Sequence, residues 1–233
     1  MLKITIRLIV IFLIIGTQPS CVTFAPPSPF MTYGGPKTTP KGKSEAAIAL
    51  GTSVALFDGA HSGGEGWFTR YKYGITEKTD FGIDFSGASR NDGGYFAGKV
   101  ATRHQLGGAS RLELGIGAAD DSSGKSLNTD LAVTIGTTKD KTWNYYTSLR
   151  FAYAKGFAPN SITLPGQTKG NDSIPPPNTS FIMLNLGAQG EISDKQKFIF
   201  EGGYGYILPK DEKNGPAFYI SAGLLFTFGR KNE

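Results

Sequence analysis

The sequence predicts an all-β chain closed into an antiparallel, up-and-down transmembrane β-barrel of about ten strands. Three observations predict it. From Ser44 onward the hydrophobic pattern has period two rather than the helical 3.6, the mark of strands with one apolar face. Charged residues make up only 18% of the chain, against the ~25% usual for soluble domains, while 32 residues are Gly. The charges that remain keep to one face of the predicted strands.

The chain begins with a segment that is not part of that body. Lys3 and Arg7 precede an apolar run from Leu8 to Ile15, which Gly16, Thr17, Pro19 and Ser20 then break. Residues 1–20 therefore read as a secretory signal peptide. The apolar run is too short to cross a bilayer as a helix, and no later stretch reaches the ~18 apolar residues that a spanning helix requires. Lys3 and Arg7 also inflate the formal net charge of +5. Without them about +3 remains, scattered and without a basic run, so nucleic acid is not an expected partner.

Cys21 is the single cysteine and stands where the leader should be cut. A lone cysteine in an oxidising compartment is either a free thiol or chemically occupied. Gln18-Pro19-Ser20-Cys21 resembles the site at which bacterial lipoproteins are acylated on the cysteine that becomes the new N-terminus. The alternative is ordinary cleavage after Ala25, with Thr23 and Ala25 as the small residues. Residues 21–43 then form a periplasmic linker: Pro26, Pro27, Pro29, Pro36 and Pro40 alternate with Gly34, Gly35 and Gly42, a composition that favours extended chain without a core.

The barrel is assigned to residues 44–233, with strands near 44–57, 66–75, 79–89, 93–104, 109–119, 126–137, 142–154, 179–191, 196–208 and 216–229. Each has the ~9–11 residues of a tilted spanning strand. In the seventh, Trp143, Tyr145, Thr147, Leu149, Phe151 and Tyr153 share one face and Asn144, Tyr146, Ser148, Arg150, Ala152 and Ala154 the other. Across the set, the apolar faces carry no Asp, Glu, Lys or Arg. The opposite faces hold Arg70, Lys72, Asp84, Lys99, Arg103, Arg111, Glu113, Asp130, Arg150, Glu191, Lys197 and Glu201, with Glu45 and Asp80 at the rims. Lipid enforces such an exclusion, because Lys or Arg facing mid-bilayer costs ~2–4 kcal/mol. The even-numbered connections, such as 76–78 and 105–108, are compact, and the odd-numbered ones are on average longer, above all 155–178, with Arg90-Asn91-Asp92 an exception.

Tyr71-Lys72-Tyr73-Gly74-Ile75-Thr76-Glu77-Lys78-Thr79-Asp80-Phe81-Gly82-Ile83 resembles the strand–turn–strand hairpins of Gram-negative outer-membrane β-barrel proteins. Gly190-Glu191-Ile192-Ser193-Asp194-Lys195 echoes it, and Gly223-Leu224-Leu225-Phe226-Thr227-Phe228 resembles their aromatic-ending last strand. The resemblance implies location in the bacterial outer membrane, with outer-membrane lipid and the barrel-assembly machinery as partners. It implies a porin-like or structural barrel, not an activity.

Alternation alone does not say which face is inside. The alternative is a soluble periplasmic barrel of lipocalin type, with apolar side chains inward and an apolar ligand. Two observations favour the apolar face outward. The polar face is rich in small residues such as Ala47, Ala49, Gly51, Gly115, Gly203 and Gly205, which suit a crowded lumen. Aromatics including Trp67, Trp143, Tyr204, Tyr206, Phe226 and Phe228 gather near segment ends, where interfacial girdles sit.

Chemistry is sparse. Asp58, His61, Ser62, Asp120 and Asp121 share the outer rim, but such mixed polar loops arise by chance, and a catalytic group is defined by geometry. No metal-ligand spacing exists and no cofactor is implied. The expectation is therefore a non-enzymatic outer-membrane barrel with a structural, surface-interaction or narrow-channel role. Its lumen charges are expected to pair and fill the interior, with Arg111 and Glu113 among the members whose loss loosens the barrel. Its extracellular ligand is not specified by the sequence. Acylation is directly testable: the mature protein should have the intact mass of a diacyl or triacyl Cys21. A mature chain starting at Pro26 without lipid mass contradicts it.

Overall fold

Alternating side chains turn ten segments into strands. The computed structural model describes residues 31–57, 60–90, 93–121, 124–137, 143–158, 176–210 and 214–229. The leader and Cys21 lie outside them. The strands are β1 (Ser44–Phe57), β2 (Ala60–Gly74), β3 (Thr79–Arg90), β4 (Gly93–Gly107) and β5 (Ser110–Asp121). They continue as β6 (Gly124–Gly136), β7 (Trp143–Ala158), β8 (Thr179–Ser193), β9 (Gln196–Pro209) and β10 (Gly215–Phe228). Each pairs antiparallel with its neighbours in sequence, and β1 pairs with β10 from Ser44↔Phe228 to Ala55↔Ala217, closing the ring. The fold is an up-and-down barrel, and closure leaves no open edge.

The apolar faces point outward. On β7 Trp143, Tyr145, Leu149, Phe151 and Tyr153 are exposed while Tyr146, Ser148, Arg150, Ala152 and Ala154 are buried. Aliphatics such as Ile48, Leu50, Leu114, Ile116, Leu131 and Leu184 occupy the outer wall as well. Aromatics Tyr73, Phe81, Trp143, Tyr145, Phe198 and Phe228 stand outside, close to the strand ends at the rim where β1 starts and β10 ends. Trp67, Phe96, Tyr153, Tyr204, Tyr206 and Phe218 stand outside toward the other rim. On the strands, outward charges among the described side chains are Glu65, Asp120, Lys125 and Lys155, all on the far side of the belt. On β5 the uncharged outward stretch lies between Ser110 and Asp120, roughly 25 Å of height once strand rise and tilt are combined, the height of an outer-membrane apolar band.

Two expectations change. The first connection was expected to span 58–65, but β2 begins at Ala60, and the β1–β2 ladder runs on to Phe57↔Ala60. Likewise β3–β4 reaches Arg90↔Gly93 and β5–β6 reaches Asp121↔Gly124. The stretch His61-Ser62-Gly63-Gly64 has no apolar alternation to announce a strand, yet its backbone still needs hydrogen-bond partners and finds them across the hairpin. Strand overhang, rather than connection length, is what distinguishes the far rim, with 159–178 the long exception.

The linker also differs. Residues 31–40 do not hang free at the rim but run inside the barrel, where Thr32, Tyr33 and Thr39 are fully buried. Chain leaving the lumen is fixed at the rim by a parallel bridge between Lys41 and Gly74 and by Gly42 N–H donating to Gly74 O at 2.9 Å. Gly74 permits this approach: a Cβ there would sit 2.0 Å from Pro40 O. The physical reason lies in the composition. Extended Pro/Gly chain has unpaired backbone N–H and C=O groups, and the lumen supplies buried side chains that take them up.

Leu131→Arg, at the middle of the outward face of β6, should lower stability by about 2–4 kcal/mol in lipid bilayers, measured by urea unfolding. Unchanged stability would mean that this face does not meet lipid.

Candidate functional site in the barrel lumen

Inward positions on β2 to β7 bring long charged side chains together. Glu113 on β5 is the hub: it accepts from Arg103 Nε at 2.8 Å, Lys99 Nζ at 2.9 Å and Arg150 Nη2 at 2.9 Å. Asp84 on β3 takes a bidentate pair from Arg70, Nε at 2.7 Å and Nη2 at 2.5 Å, and two longer bonds from Arg103 Nη2 at 3.2 Å. Asp130 on β6 accepts from Lys99 at 2.8 Å and from Arg150 Nη1. Every one of these side chains is nearly or fully buried. Strand register makes the cluster possible, since Arg70 lies opposite Asp84, Asp84 opposite Lys99, and Arg103 opposite Glu113. Gly115 makes room for it: a Cβ there would come within 2.4 Å of Asp130 Oδ1 and 2.8 Å of Lys99 Cδ.

Other members of the predicted charge set fall elsewhere. Lys72 is buried and pairs with Glu45 at 2.5 Å, so Glu45 belongs to the lumen wall rather than only to the rim. Asp80, also assigned to the rim, is fully buried, faces Arg103 at 3.5 Å and accepts Thr39 N–H at 2.7 Å. Glu191 and Lys197 pair at 3.7 Å near the mouth, partly exposed and outside the network. Arg111 is fully buried yet poorly matched. Its nearest carboxylate, Glu113, is 3.9 Å away, Nη1 reaches Lys37 O at 3.4 Å, and Nε and Nη2 have no partner among the described residues.

The opposite wall is built differently. Glu201 on β9 has four neutral donors: Tyr146 Oη at 2.7 Å, Tyr219 Oη, Thr32 N at 2.7 Å and Tyr33 N at 3.1 Å. Arg70 reaches back to the same inserted segment, donating to the carbonyls of Met31, Thr32 and Tyr33. A carboxylate thus reads the N–H groups of residues 32–33 while a guanidinium reads their C=O groups. Tyr33 stacks on Phe68 with ring centroids 4.9 Å apart and packs against Ala47, Ala49, Ile199 and Leu225. Inward Phe68, Phe181, Met183, Ile199, Ile207 and Leu225 show that this wall is not purely polar or small.

The sequence placed Tyr146 on the polar face but gave no reason to single it out. Tyr33 had no signal at all, since it lies in a segment without periodicity. Of the outer-rim group, Asp58 and the side chains of His61 and Ser62 lie outside the described residues, and Asp120 faces Lys125 at 3.8 Å. Among the described residues no cluster of His, Cys, Asp and Glu has the makings of a metal centre.

No family model matches the chain, and no curated protein matches it. Solved structures do. An outer membrane channel from Pseudomonas putida F1 is 12% identical over 85% of this chain and 100% of its own, with a TM-score of 0.48. The outer membrane protease OmpT from Escherichia coli is 9% identical over 80% and 97%, at 0.46. Neisserial surface protein A is 12% identical over 81% and 100%, at 0.44. These likenesses concern the barrel fold, which the strand pairing already establishes, and a channel, a protease and a surface protein share it. Activity resides in sites grafted on a fold.

The network predicts unequal costs within one cluster. Glu113→Ala should destabilise by about 3–5 kcal/mol, because it leaves the buried cations Arg70, Lys99, Arg103 and Arg150 to share only Asp80, Asp84 and Asp130. Arg111→Met should be nearly neutral, within about 1 kcal/mol, because Arg111 forms no close ion pair to lose. Equal losses in urea titrations of the two variants would contradict this hierarchy.

Proposed function

We propose that the chain is an integral outer-membrane barrel, non-enzymatic and closed at rest, with a structural or surface-interaction role exercised at its far rim. The carrying observation is the inversion of polarity. Charged side chains are buried and paired inside, and a charge-free belt of aliphatic and aromatic side chains covers the outside. A soluble barrel binding an apolar ligand requires the reverse arrangement, because water would face exposed Leu, Ile and Phe all round the wall. Outer-membrane lipid is the solvent that fits this surface. The barrel-assembly machinery is the expected route of insertion, supported by the last strand, which pairs with the first and ends on Phe228.

Between a structural role and a channel, the filled lumen favours the former. Ten strands enclose little more than an eight-stranded barrel, whose interior side chains just fill. Here the Glu113 network occupies one half and residues 31–40 the other. In planar lipid bilayers the unmodified protein should therefore insert without steady conductance. Stable, charge-selective single-channel steps would move the reading to a narrow channel.

A further inference from the structure

The two halves of the lumen are filled by different means. Long charged side chains rooted in β2 to β7 fill one. The wall around β9, β10 and β1 has no such cluster: beside Glu201, Tyr219, Ile199 and Leu225 it carries small inward residues such as Ala47, Ala49 and Ser221. Residues 31–36 lie against this wall, with Tyr33 packed among Ala47, Ala49, Phe68, Ile199 and Leu225. We propose that this half of the lumen is a channel for extended peptide backbone, held shut by residues 31–40 as a displaceable plug. The proposal rests on the membrane reading above and extends it: the barrel is closed by a removable part of its own chain.

Three features make the segment removable. First, most of the polar contacts that hold it deepest are to its main chain: Glu201 takes the N–H groups of Thr32 and Tyr33, and Arg70 their carbonyls, while Asn185 Nδ2 donates to Thr32 Oγ1 at 3.0 Å. The fully buried apolar anchor there is one aromatic ring, that of Tyr33. Second, the clamp groups keep other partners when the segment leaves. Arg70 retains its bidentate pair with Asp84, and Glu201 retains Tyr146 and Tyr219. Withdrawal therefore leaves both clamp charges paired, whereas stranding them would make it prohibitive. Third, the segment does not fill its own mouth. A polar cavity of about 420 Å³ lies beside Gly34, Gly35 and Pro36, reaching Lys72, Asn144 and Gln189.

The test uses the full chain in planar bilayers, with insertion of each sample checked by heat-modifiable migration. One variant has residues 31–40 replaced by a Gly/Ser run of equal length. It should show conductance steps that the unmodified protein lacks, and a synthetic peptide of residues 31–40 added on the side where β1 starts should block them. A second variant, Tyr33→Ala, leaves the rest of the chain intact. It should raise the open fraction by about tenfold, the factor expected for losing one buried aromatic anchor. If the replaced variant does not insert, Tyr33→Ala decides alone. Inserted but silent variants overturn the plug, as does conductance that the peptide fails to block. Failure of the unmodified protein to insert at all would instead sink the membrane reading, and the migration assay separates the two.

Discussion

Buried charge is tolerable only when it is matched, and the architecture of this barrel follows from that requirement. Isolating a carboxylate or a guanidinium from water costs several kcal/mol even after relaxation. Glu113 meets the condition by accepting from Arg103 and Lys99 on β4 and from Arg150 on β7. A one-residue slip in any strand would turn its charges to the outer wall and its aliphatics to the lumen. The network thus fixes register around β2 to β7, and the apolar outer face fixes it a second time from the lipid side. Strand order, the placement of small residues such as Gly115 and the uncharged belt are consequences of the same sorting.

The other half of the lumen satisfies the rule with backbone instead of counter-charge. Glu201 has two tyrosine hydroxyls and two peptide N–H groups, and Arg70 divides its donors between Asp84 and three carbonyls of the inserted segment. Proline and glycine in residues 31–40 suit this use. They keep the chain extended, so its peptide groups stay available to the wall rather than to one another. The segment and the wall are matched as a polar surface without repeating the ion-pair logic across the lumen.

Strand number, phase and most boundaries were legible in the sequence because lipid on one side and a crowded lumen on the other impose strict alternation. Trp143 to Tyr153 is the plainest case. Where that two-sided pressure ends, so does the signal. His61 to Gly64 extend β2 beyond the belt by backbone pairing alone, and nothing in their side chains reports it. Residues 31–40 were legible as extended chain but not as lumen contents, since insertion depends on groups far away in sequence. Within the predicted charge set, the pairing of Arg70 with Asp84 follows from adjacent strands. The isolation of Arg111 and the burial of Asp80 depend on depth in the barrel, which alternation does not encode.

The central claim is that the outer wall meets lipid while the charges face inward, and the two native tryptophans report on it without mutation. Trp67 and Trp143 both point outward, on the far and near sides of the belt. In bilayers, their fluorescence should be quenched by lipids brominated near the top of the acyl chain and protected from aqueous iodide. Quenching by iodide with no effect of brominated lipid would place those faces in water and contradict the account.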